Sequence, residues 1–173
     1  MTAVIIDPGY SKRSGGCAIA LFDGERFTGH DVMRPPYDGR FSGVQTVVVE
    51  RPQWDSRCMS DASSVIDLAW YGALLAGGIA AYHDATTVEL LPREWKGSLP
   101  KPVTHKRMWD VLTPAERALL GGSKTLMKIE TAVQRGASKR WPPGYDAYVG
   151  STIHNRLDAV AIGLVWRGRV KFK

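Results

Sequence analysis

Three acidic residues stand where acids are costly. Asp7 ends the β-branched apolar run 3–6, Glu50 ends the run 46–49, and Asp158 lies in a segment otherwise apolar from 157 through 166. A carboxylate beside buried surface must be paired, protonated or bound to a cation. Each acid has an ordinary role open to it alone. Asp7 can cap the Pro8-Gly9 turn, Glu50 can pair with Arg51, and Asp158 can favour the start of its helix through the dipole. Together, three converging carboxylates favour a hard divalent metal, because magnesium prefers oxygen ligands. Ions held this way activate water and stabilise the leaving oxygen in phosphodiester cleavage. His154 precedes Asp158 by four residues, which on a helix places both on one face. It is expected as a ligand or proton-transfer group. Asn155, three residues before Asp158, faces nearly the same way and is its rival.

These residues need elements to hold them. Residues 3–6, 15–22, 25–30, 46–49 and 86–91 read as strands, with Asp23-Gly24 as a hairpin turn between the second and third. Residues 34–43 and 51–58 read as loops. Residues 60–82 read as one long helix capped by Ser60 or Asp61, with apolar and small residues at three- and four-residue spacing. Residues 97–103 read as a Pro- and Lys-rich loop. Helices are expected over 104–112, from Thr113-Pro114, over 125–133 and over 151–166, followed by a basic tail over 167–173. Short buried strands that later alternate with helices indicate an α/β layered domain, and the early hairpin makes the sheet mixed. No repeat or linker divides the chain, so residues 1–173 are expected to form one domain.

Composition narrows the function. A chain of 173 residues, 44% hydrophobic and 23% charged, can bury a core unaided and is not disordered. Cys17 and Cys58 are too few for a disulfide framework or zinc knuckle, which suggests a reducing, cytoplasmic setting. The first residues lack a basic leader, and the longest apolar stretch, 68–82, is read as too short for a membrane span. Lys and Arg total 23 against 17 Asp and Glu, a net charge of +6 that suits nucleic acid.

The ordered motifs resemble one family. IIDPGYS, VVVERPQW, DASSVIDLAWYGALLAGGIAAY, ELLPREWKGSLPKPVTHKRMWDVL and HNRLDAVAIGL are similar, in this order and over nearly the whole chain, to the motifs of RuvC-type Holliday-junction resolvases. Asp-Pro-Gly also occurs in the phosphate loops of sugar-kinase-like proteins, so the ordered set carries the resemblance. It implies a ribonuclease-H-like fold with a mixed central sheet flanked by helices. It also implies a homodimer, and magnesium-dependent nicking of branched DNA, with a four-way junction first and manganese as a substitute metal. By position Asp7, Glu50 and Asp158 match the family's metal-binding acids. The fourth position holds Asn155 where the family has Asp or His. His154, one place earlier, is expected to serve instead and to matter more than Asn155. Lys96 and Lys106 match lysines near the scissile phosphate, Lys106 as a catalytic cation. Trp54, one place later than usual, matches an aromatic that stacks on bases. Arg51 and Lys101 complete the expected DNA contacts. The small residues Gly72, Ala73, Ala76 and Gly77 are expected at a two-fold interface. A phage-encoded member acting in the host cytoplasm fits the compact chain. The competing readings are a terminase-type nuclease on the same fold and a catalytically silent branched-DNA-binding module.

Overall fold

A computed structural model of the chain describes residues 1–9, 16–53, 62–136 and 152–172. The strands are β1 (Thr2–Asp7), β2 (Cys17–Asp23), β3 (Arg26–Met33), β4 (Val44–Glu50) and β5 (Thr86–Leu90). The helices are α1 (Ala62–His83), α2 (Pro92–Trp95), α3 (Lys101–Val111), α4 (Pro114–Leu119), α5 (Gly122–Gly136) and α6 (Thr152–Trp166). The result is an α/β domain around a mixed five-stranded sheet of order β3-β2-β1-β4-β5. β1, β2 and β3 form an antiparallel meander, while β4 runs parallel to β1 and β5 parallel to β4. Gly24, at φ +56°, makes the turn from β2 to β3, a conformation that glycine adopts without steric cost.

The alternation of side chains across a strand decides which face each acid meets. Val4 and Ile6 of β1 join Val47 and Val49 of β4 in the core beneath α1, with Leu75, Ala76 and Ile79. Ala3, Ile5 and Val48 join the opposite core, filled by α6 and by Met108 and Trp109 of α3. By the same parity, Asp7 continues from Ala3 and Ile5, and Glu50 continues from Val48. Both acids therefore end adjacent parallel strands on the α6 face.

Two close approaches fix the helices on the sheet, the second of them beside that edge. Gly163 of α6 lies under Phe22, where an added Cβ would stand 2.2 Å from Cε2, so α6 sits tightly on the sheet. Gly72 of α1 lies against the turn after β1, where an added Cβ would stand 2.9 Å from the Pro8 Cβ.

Several expectations change. Of the four small residues expected at a two-fold interface, Gly72 and Ala76 pack on their own sheet, Ala76 being 2% exposed, while Ala73 and Gly77 are exposed. The outward face of α1 also carries Ile66, Trp70 and Leu74, one turn apart and exposed. Ser63–His83, at mean hydropathy 1.4, is long and apolar enough to cross a membrane, unlike the shorter stretch read from sequence. Its buried side nevertheless supplies Leu75, Ala76 and Ile79 to the core. Helix α3 begins at Lys101, inside the stretch read as a loop through 103. Pro100 and Pro102 both belong to its start, where a missing N–H removes no helical bond. The short helix α2 also starts on a proline, Pro92. The expected basic tail folds back. Arg169 reaches Glu116, the Arg167 side chain donates to the Met1 carbonyl, and Phe172 is buried.

Candidate active site

The Asp7 carboxyl is 6% exposed. Its Oδ1 accepts the Gly9 N–H at 3.0 Å, so the residue does cap its turn, but the buried Oδ2 has no hydrogen-bond partner. Burial pushes its pKa well above the ordinary carboxylate value, and the neighbouring charges of Asp158 and Glu50 push the same way. Glu50 is similarly sealed and raised to about 6, by burial against the opposing charge of Lys96, with Asp158 again raising it. The alternative pairing of Glu50 with Arg51 does not form. Arg51 turns to Glu89 at 3.2 Å, an exposed ion pair.

Both oxygens of Asp158, on α6, are occupied. The Lys101 ammonium donates to Oδ2 at 2.6 Å. His105 Nε2 lies 2.9 Å from Oδ1, and the ring is fully buried. Burial alone would raise the Asp158 pKa, but Lys101 and His105 outweigh it and hold the carboxyl far below the usual range. An ionised Asp158 accepts only, so Nε2 carries the proton of this bond. Lys101 is held charged in turn: burial opposes its charge, and Asp158, Asp7 and Glu50 overcome that.

Helix geometry explains which α3 residues reach the acids. Lys101 and His105 are four residues apart and share a face. Lys106 is about 100° further round, and its ammonium pairs with Asp110 at 2.5 Å rather than with the acids. Lys96, at the end of α2, stands 5.0 Å over the Trp95 ring, and its charge is felt by both Glu50 and Asp158.

The two candidates for the fourth position separate. Asn155 is buried, and its side-chain amide donates to the Gly9 carbonyl. An added Cβ at Gly9 would stand 2.7 Å from the Asn155 Cγ, so glycine is needed for this contact. Asn155 thus holds the turn that follows Asp7, while His154 is half-buried one position earlier. Trp54 lies outside the described residues. Sequence reasoning missed His105 altogether. Its signal was the spacing from Lys101, hidden while residue 101 was read as loop.

The site is thus a buried, mutually repelling acid cluster with two lysines beside it. As it stands, no three His, Cys, Asp or Glu side chains among the described residues are arranged to ligate one ion. The donor chemistry still suits a hard divalent cation. The three acids offer carboxylate oxygens, Asp7 Oδ2 is buried without a partner, and the raised acids would lose their repulsion against a positive charge. No family model, curated protein or solved structure matches the chain.

Proposed function

We propose that the chain is a magnesium-dependent, structure-selective DNA endonuclease of the RuvC-like type, on a ribonuclease-H-like fold. The observation that carries this reading is the placement of Asp7 and Glu50 at the ends of adjacent parallel strands, on the face where α6 presents Asp158. In open α/β sheets the carboxyl ends of parallel strands are where ligands gather. The mixed sheet with helices packed on it, antiparallel over β1–β2–β3 and parallel over β1–β4–β5, supports this reading.

Asp7, Glu50 and Asp158 would hold the metal, which when bound would supply an activated water and charge stabilisation at the scissile phosphate. The chain's own residues do the rest. His105 fixes the orientation of the Asp158 carboxylate from a fully buried position. Asn155 holds the Asp7 turn through Gly9. Lys96 adds positive potential at the mouth, and the net charge of +6 draws in a polyanion. Paired nicking of a four-way junction calls for two copies, and the exposed Ile66, Trp70 and Leu74 of α1 are the surface that suits a second copy.

The test is a magnesium nicking assay on four-way junctions, forks, flaps and linear duplex. Branched substrates should be nicked, and Asp7→Asn should abolish nicking while still binding the junction. Substantial cleavage by Asp7→Asn would refute the metal-nuclease reading. One observation favours the silent DNA-binding module instead, namely the Lys101 ammonium seated on Asp158. The same assay separates the two, since the silent module binds the junction and never cuts it.

A further inference from the structure

Resting on the metal-nuclease reading above, we propose that Lys101 is a tethered counter-ion which a divalent metal must displace from Asp158, so that metal loading and release of this lysine are one event. The two oxygens of Asp158 are held unequally. Oδ1 is bound by His105, a ring with no exposure. Oδ2 is bound by Lys101, whose side chain is 37% exposed at the first residue of α3. An ammonium on a flexible four-carbon stem is a compact point charge that can swing into water, whereas the His105 ring cannot leave without opening the core. Oδ2 is therefore the exchangeable oxygen.

Charge favours the exchange. Among the described residues Lys101 donates to the cluster through Asp158, and the Asp7 Oδ2 receives nothing from it. One ammonium in contact, with the Lys96 charge acting beside it on Glu50 and Asp158, leaves the Asp7 carboxyl under-served. A divalent ion seated between Asp7, Glu50 and Asp158 brings twice the charge to oxygens that already repel one another. It would also repel the ammonium it replaces. Lys101 and the metal are thus competitors for one carboxylate oxygen.

The experiment uses the full chain without DNA, with magnesium or manganese chloride as the only addition. Reductive methylation read by peptide mass spectrometry reports the accessibility of each lysine, and the exposed Lys124 serves as the internal reference. In wild type, Lys101 labelling should rise several-fold when metal is added, with Lys124 unchanged. Calorimetric titration should show metal binding about tenfold tighter to Lys101→Met, because a competing charge has gone. The labelling arm needs no variant, so it holds even if Lys101→Met folds poorly. If wild type binds metal with Lys101 labelling unchanged, and Lys101→Met binds no more tightly, the displacement is overturned while the acid site stands. If metal binds neither protein and Asp7→Asn behaves identically, the metal reading falls and the displacement with it.

Discussion

Glu116 and Asp7 are both sealed carboxylates, 1% and 6% exposed, and the protein treats them in opposite ways. Glu116 accepts the N–H groups of Phe27 and Thr113 at 2.8 Å each, the Thr113 hydroxyl at 2.9 Å, and both terminal nitrogens of Arg169. Burial would raise its pKa, but the Arg169 guanidinium and these N–H groups pull it down to about 2. Among the described residues Asp7 receives one N–H on one oxygen, and its pKa goes up. The difference is in the partners and not in the burial. A satisfied buried acid is a clamp: Glu116 joins β3, the start of α4 and the folded-back C-terminal segment. An under-served acid beside two others stores repulsion that a cation would relieve.

The largest expected effect is on the clamp. Glu116→Ala should destabilise the fold by about 2–4 kcal/mol, because the half-buried Arg169 loses its carboxylate and the Phe27 and Thr113 N–H groups lose their acceptor. Urea unfolding measures this, and a loss below the range of an ordinary surface substitution would show that the clamp is ornamental. The acid site should respond with the opposite sign. Glu50→Gln should stabilise the protein by about 1–2 kcal/mol in chelator at neutral pH, since a carboxyl raised from 4.5 to about 6 works against folding once ionised.

The pH profile sharpens the contrast. Glu116 has a lowered native pKa, so its contribution is complete above about pH 4.5 and fades as the pH falls toward 2. Glu50 has a raised one, so the native state keeps a proton that the unfolded chain has released, and stability declines as the pH rises from 4.5 through about 6. Melting temperature in chelator should therefore climb, peak and fall across this range in wild type. In Glu50→Gln the decline should be shallower; an unchanged decline would remove Glu50 as its source.

The smallest effect concerns the Asp7 turn. Loss of its buried hydrogen bond to Gly9 should make Asn155→Ala cost about 1–2 kcal/mol and slow nicking. His154→Ala should cost less on both readouts, the reverse of the ranking expected from sequence. A normal Asn155→Ala alongside a dead His154→Ala would restore that earlier order.

Much of the scaffold was legible because it is written in local periods. The continuous apolar runs in TAVIID and VQTVVVE mark buried strands that end on Asp7 and Glu50, and the Asp23-Gly24 turn sets the antiparallel start. The apolar run around Asp158 marks a buried helix, and the acid site follows from two strand ends and the middle of that helix. What neutralises those acids was not legible. Lys101 and His105 meet Asp158 from 57 and 53 residues away, and Asn155 meets Gly9 from 146 away. Nothing in a local period specifies such partners. They depend on where a proline-flanked helix starts, which turns residue 101 from a loop lysine into the first residue of α3. The same holds for the C-terminal arginines, whose charge reads as a tail until Glu116 and its neighbours form a place to receive it. Local pattern determined where the carboxylates stand, because side-chain direction repeats along a strand or helix. Tertiary packing decided which cation each one meets, because that depends on distances between elements that no local repeat contains.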